Sequence, residues 1–292
     1  MTRTVTLAGR PALTAVMLAF LLDFLLLLSL EQSCRTRDSG AGSFQADTVF
    51  AEDFESGTLK AWTDGVDPHR QRIVSNPKFA QSGTRYLEVT YVAGGDGGWL
   101  THFFMPGYDS LYVSYYVRLP PDWQGGTKLL ALYGSRVDDQ WSAIGKAGLC
   151  PTGRDFFATM VVTEPTGNPG PLRFYSYYPD MSREGDGVTC WGRYGDSTET
   201  YVPPLELTRG VWHRVEFWVK LNDPFVKNAS QMCWIDGVLR GTWSGFSFRS
   251  SSVLRLNSVQ LTFNRGISGG PTMQTLWVDH LVVTTRRPPR EM

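Results

Sequence analysis

From about residue 48 onward, apolar and polar residues alternate with a period of two, the period of a pleated strand whose side chains point to opposite faces in turn. Such runs recur as RYLEVTYV (85–92), WLTHFF (99–104), LYVSYYVRL (111–119), KLLALYG (128–134) and DFFATMVV (155–162). They continue as LRFYSYYP (172–179), VWHRVEFWVKL (211–221), QMCWIDGVLRGTW (231–243), LRLNSVQLTFN (254–264) and LWVDHLVVTT (276–285). Gly, Pro, Asp and Asn separate them, and no run has the 3.6-residue period of an amphipathic helix. Strands without helical crossovers predict antiparallel sheets, and the absence of a fixed longer repeat excludes a propeller or solenoid. In VWHRVEFWVKL, Val211, His213, Val215, Phe217 and Val219 share one face, which makes His213 a core histidine, and Trp212, Arg214, Glu216, Trp218 and Lys220 share the other. In the following run, Asp236-Gly237 is a tight-turn pair between two strands. In LRFYSYYP, Arg173, Tyr175 and Tyr177 fall on one face and Leu172, Phe174, Ser176 and Tyr178 on the other.

The N-terminus breaks the pattern. Arg3 and Arg10 precede an apolar run, residues 11–30, interrupted only by Asp23. A basic start followed by an apolar run reads as an export signal, and this one is also long enough for a membrane anchor. Cys34 follows it, and lipidation there stays open. The organisation expected is a signal peptide or membrane anchor over 1–34, a flexible linker over 35–47 and one domain over 48–287. An exported protein, extracellular or at the cell surface, is implied, with membrane attachment through the N-terminal segment left open.

Composition narrows the field only a little. Roughly 250 residues remain after the N-terminal segment, enough for one large all-β domain with a sizeable core. Formal net charge is +0, so nothing points to nucleic acid. Aromatic residues make up 13% of the chain, which supplies a sandwich core and leaves rings, with Trp99, Trp123 and Trp141 as candidates, to stack on sugars. Of the four cysteines, Cys150 and Cys190 are the expected disulfide, since both lie in loop-like sequence flanking the Arg173 strand; free thiols are the alternative. No Cys/His spacing suggests zinc. His69 sits in a polar loop and reads as solvated.

Several pieces resemble the concanavalin A-like jelly roll. They are the long strand followed by the Asp-Gly hairpin, the opening FAEDFESGTLKAWT and the closing LWVDHLVV. Two further stretches, GGTKLLALYG (125–134) and FYSYYP (174–179), resemble the signatures of polysaccharide lyase family fourteen, which holds alginate lyases, and of related glucuronan lyases. The family's glycine pair and lysine before Leu-x-x-Leu-Tyr-Gly correspond to Gly125, Gly126 and Lys128, then Leu129, Leu132, Tyr133 and Gly134, with Thr127 extra. Its Tyr-x-Tyr-x-Pro corresponds to Tyr175, Tyr177 and Pro179. The resemblance implies an all-β, concanavalin A-like jelly-roll sandwich, with Tyr175 and Tyr177 as base and acid and Lys128 binding substrate. The family also carries a Ser-x-Arg on the preceding strand, whose arginine holds the uronate. The corresponding stretch here, FFATMVV, has no arginine. Arg154 just before it, or Arg173 beside the tyrosines, could compensate. Folds of this class often tie the first strand to the last with one calcium, for which Asp279 with Glu55 or Asp53 is placed; acids simply sitting in water are the alternative.

The residue types suit β-elimination on their own terms. The proton removed lies alpha to a carboxylate, so a cation must neutralise that carboxylate while charge moves onto it. Lys128, Arg173 and Arg154 are the cations at hand. A phenol near a cation becomes a better base, and a second phenol can protonate the leaving oxygen. Tyr133 and His102 are further expected contacts to substrate, and His102 and His280 are alternative bases. Glycoside hydrolysis needs two carboxylates on one site, and Glu216 and Asp279 stand on separate strands. The activity expected is therefore a lyase on uronate-containing polysaccharide, working as a monomer without a required cofactor. Its rivals are a noncatalytic, lectin-like binding module and a surface protein whose aromatic face is only structural, since tyrosine is at home on a half-buried pleated surface.

Overall fold

Strands account for all the regular structure among the described residues of the computed structural model, which are 47–164, 167–192, 206–265 and 272–289. The expected leader, anchor, linker and Cys34 lie outside them, apart from Asp47. The strands are β1 (Thr48–Glu52), β2 (Gln71–Ser75), β3 (Arg85–Tyr91), β4 (Gly98–Tyr108), β5 (Ser110–Arg118), β6 (Thr127–Arg136) and β7 (Phe157–Thr163). They continue with β8 (Leu172–Tyr177), β9 (Trp212–Lys220), β10 (Ala229–Ile235), β11 (Val238–Phe246), β12 (Leu254–Phe263) and β13 (Gln274–Thr284). Each alternating run of the sequence contains a strand. The strands outside these runs are β1, anticipated only through the opening motif, and β2, a short edge strand with the mixed sequence QRIVS.

Two antiparallel sheets form the jelly-roll sandwich. The eight-stranded sheet runs β11-β10-β9-β5-β13-β3-β2, with β1 also paired to β13, and the five-stranded sheet runs β4-β12-β6-β7-β8. The first and last strands therefore adjoin, as the opening and closing motifs implied. Between β10 and β11, Asp236 (φ 52°) and Gly237 (φ 76°) make the turn, with positive φ at both central positions as the twist of a two-residue hairpin requires.

Alternation decides what enters the core. Leu111, Val113, Tyr115 and Val117 of β5 and Val215, Phe217 and Val219 of β9 are buried from the eight-stranded sheet. They meet Leu130 and Leu132 of β6, Phe174 of β8 and Val259 and Leu261 of β12 from the other. The Phe174 and Phe217 rings touch edge to face, with centroids 6.1 Å apart, and bind the sheets together. Two expectations are corrected. Trp123 is fully buried against Tyr91, its indole N–H donating to the Gly125 carbonyl, so it cannot stack on a sugar. His213 keeps the parity of the core face but is no apolar core residue: at the end of β9 it contacts Asp236 (2.8 Å) and the Thr208 carbonyl (3.1 Å).

Candidate active site

Because Leu172, Phe174 and Ser176 turn into the sandwich, Arg173, Tyr175 and Tyr177 turn out onto the free face of the five-stranded sheet. The neighbouring strand registers Val162 against Arg173, Met160 against Tyr175 and Ala158 against Tyr177. The pleat therefore puts an apolar floor beside the phenols. On the next strand a bulge between Lys128 and Leu130 interrupts the pairing of β6 with β7. A bulge re-aims the side chains around it, and Lys128 projects onto the same free face. The glycine pair has a local reason: Gly125, at φ 77°, turns the chain into β6, and its amide is held by Asn168.

The result is a compact constellation. The Tyr175 and Tyr177 hydroxyls are 3.2 Å apart. The Lys128 ammonium lies 5.2 Å and the Arg173 guanidinium 5.6 Å from the centre of the Tyr175 ring. Arg173 is ion-paired with Glu164. Tyr133 donates to Gln260 (3.1 Å), which in turn donates to Thr101 (2.8 Å), carrying a polar row across the sheet. Lys128, Tyr133 and Tyr177 line a cavity of about 180 Å³ with Met160, Phe156 and Lys146.

The cavity wall is the segment around Ala143–Ala147. It is tied down by the Cys150–Cys190 disulfide, the pairing expected from the sequence, and by the Cys190 amide on the Gly148 carbonyl (3.0 Å). Just beyond Cys190, the Gly192 backbone lies so close to the Tyr175 ring that a methyl group there would overlap it.

Burial governs the protonation of these groups. It pushes the Tyr175 phenol above its ordinary range, and the neighbouring Tyr177 adds to the rise; the Gly192 amide and Arg173 pull the other way and lose. Tyr133 is likewise pushed up by burial, with Tyr177 contributing. Burial pushes the Lys128 ammonium down. The sequence reading had Arg173 favouring a phenolate; here desolvation outweighs that charge.

Of the expected substrate contacts, Tyr133 and Arg173 reach this face and two residues do not. His102 pairs with core-facing Val259, turns away from the phenols, stacks on Phe50 at 4.0 Å and contacts the Ala61 carbonyl at 2.7 Å. Arg154 is exposed in the loop before β7 and does not line the cavity. His280 lies on the other sheet. Trp99 and Trp141 are about half exposed and available to stack, Trp141 against Phe103. Sequence reasoning missed Lys146, which sits in a Gly-Lys-Ala-Gly loop with no periodicity to place it, and Glu164, whose ion pair is a tertiary contact.

The carboxylates expected at a calcium site have protein partners in this structure. Glu55 accepts from the Thr84 and Arg85 amides and the Thr84 hydroxyl, and one Asp279 oxygen accepts from the Gln81 and Ser82 amides. These carboxylates anchor the 79–85 turn, and among the described residues no three His, Cys, Asp or Glu side chains cluster for a metal.

No family model and no curated protein matches the sequence. Solved structures do match. The marine PL-14 alginate lyase from Aplysia kurodai superimposes with a TM-score of 0.63 at 14% identity, covering 82% of this chain and 100% of its own. The endo-β-1,4-glucuronan lyase from the fungus Trichoderma reesei gives 0.57 at 16%, covering 82% and 96%. An alginate lyase from a Chlorella virus gives 0.60 at 14%, covering 82% and 100%. The chain has the polysaccharide lyase-like jelly-roll fold.

Proposed function

We propose that the protein is a polysaccharide lyase that cleaves a uronate-containing glycan by β-elimination. The observation that carries this reading is the pair of phenol hydroxyls at 3.2 Å beside a buried-stem lysine on one walled sheet face. Lys128, with Lys146 on the opposite wall, takes the substrate carboxylate and steadies the charge that develops on it. One phenol oxygen removes the proton alpha to that carboxylate. The carbon–oxygen bond beta to it breaks, a carbon–carbon double bond forms, and the departing oxygen takes a proton. Burial keeps Tyr175 protonated, which suits it to give that proton, and Tyr177 is the other phenol of the pair, its hydroxyl 3.2 Å away. The names of the three lyases above support this substrate class. The disulfide supports export, since such bonds persist in oxidising compartments.

The test is the ultraviolet absorbance of the new double bond on a panel of uronate polymers. Tyr175→Phe and Tyr177→Phe should each lower kcat by about a hundred- to ten-thousandfold while oligosaccharide binding survives, because the ring stays. Full activity in both variants would place the chemistry elsewhere. A second reading, a noncatalytic binding module for acidic glycans, is favoured by one observation: Ala158 and Met160 stand opposite the phenols where the family's Ser-x-Arg is expected, and Arg173 is already paired with Glu164. Binding without unsaturated product from any polymer would establish that reading.

A further inference from the structure

The eight-stranded sheet also has a free face, and it carries a larger cavity of about 730 Å³. That size is in the range of small-molecule and oligosaccharide sites. Tyr112, Ser114 and Tyr116 alternate along β5 there, on the opposite side of the sandwich from Lys128 and the phenols. Beneath them Glu216 is fully buried, although its strand face points out of the core. One Glu216 oxygen accepts from Tyr112 (2.6 Å) and from Arg287 (2.9 and 3.1 Å), and Arg214 lies 3.4 Å away. Its other oxygen has no hydrogen-bond partner. Arg214 is held further by Ser114 (3.0 Å) and Tyr112 (3.2 Å). At the rim, a bulge in β13 presents exposed His280 with φ 46°, a left-handed conformation that costs a non-glycine residue energy and that clusters at functional sites.

We infer that this cavity is a second, non-cleaving site for an acidic oligosaccharide. Two guanidiniums share one buried carboxylate, which leaves positive charge in excess at the floor. Asp236, at the hairpin turn, keeps its own charge but directs it to His213 and the Arg214 backbone amide, while the Arg214 guanidinium stays 40% exposed to the cavity. A sugar carboxylate fits that charge. Hydroxyl groups repeat every second residue along β5, about 7 Å apart, and an extended polyhydroxyl chain can follow them. Pro288 and Val282 supply apolar surface for the C–H face of a ring. No paired phenol hydroxyls stand here to move a proton between carbon and oxygen, since the Tyr112 proton is committed to Glu216. The site would hold the polymer while the other face acts on it. The inference rests on the proposed lyase reading only for the class of glycan.

The experiment is calorimetric titration of the full chain with a uronate oligosaccharide, a neutral oligosaccharide of the same length and sodium sulfate. Wild type should bind the uronate oligosaccharide at two sites. Lys128→Ala, on the opposite face, should keep one. Adding Val282→Trp, which fills the cavity beside Ser114, should weaken the remaining site at least tenfold with the fold retained by melting temperature, and Tyr116→Phe should weaken it a few-fold. The inference is overturned if Lys128→Ala leaves no binding, if both substitutions leave binding intact, or if sulfate or the neutral sugar binds this site as well as the uronate. Residual binding in Lys128→Ala reads this site whether or not unsaturated product forms, so the two proposals fail separately.

Discussion

Lys128 and Tyr175 lose water side by side on the same sheet face, and their ionisations move in opposite senses for the same reason. An ammonium without its hydration shell gives up its proton more readily, and a phenol without its shell holds on. Lys128 therefore becomes neutral at a lower pH than its ordinary 10.5. Affinity for a uronate oligosaccharide should fall as the pH rises through that lowered value. Lys128→Arg should hold its affinity over the same range, because a guanidinium stays charged. Dissociation constants from about pH 7 to 10 check this. An equal alkaline loss in both proteins would move the essential cation elsewhere, and Lys146 would be next. Arg173 shows how far a residue's neighbours redirect it: its strand position puts it beside Tyr175, and Glu164 takes up its charge.

Strands position the chemistry, and connections close it in. β7 sets the apolar floor, β6 delivers Lys128 through a bulge, and β8 carries both phenols two residues apart. None of these strands supplies the wall. That comes from loops joined by Cys150 and Cys190, 40 residues apart in sequence. Removing a cross-link of that span typically costs about 2–4 kcal/mol of stability. The double variant Cys150→Ser with Cys190→Ser should lose about that much unfolding free energy and melt at a lower temperature. Well below its melting temperature it should also turn over more slowly than wild type, because the chain just past Cys190 packs on the Tyr175 ring. Denaturant unfolding and the absorbance assay, run on the same preparation, check both effects. Unchanged turnover at lowered stability would mean that the wall shapes the fold and not the site.

At the scale of the whole molecule, one buried acid links the last strand to a distant turn. Asp279 of β13 is fully buried, and burial raises its pKa above the ordinary 3.8; the Ser82 and Gln81 amides offset the rise only in part. A carboxyl whose folded pKa exceeds its unfolded one stabilises the fold fully below about 3.8. That contribution is lost as the pH rises through the folded value. Asp279→Asn keeps an acceptor for both amides and carries no charge. The gap in melting temperature between variant and wild type should therefore widen in favour of Asn from about pH 4 towards neutrality. A variant that melts lower than wild type at neutral pH would show that the ionised carboxylate's amide bonds outweigh its burial.

Much of this was legible along the chain. Side chains two residues apart on a strand share a face whatever else the protein does, so alternation alone placed Arg173 with Tyr175 and Tyr177 and put Phe217 in the core. The Asp236-Gly237 turn is equally local, since φ above zero at two successive positions selects such residues. Contacts between distant segments decided the rest. Alternation could not say that His102 belongs to the core side of β4, because that depends on which sheet the strand joins. It could not bury Trp123, which is enclosed by Tyr91 of β3, or pair Arg173 with Glu164 across a loop. Nor could it order charge against burial at Tyr175. Periodicity is a property of neighbours in sequence. Desolvation and ion pairing are properties of whatever the fold brings alongside, and they settle which way each ionisable group in the site is pushed.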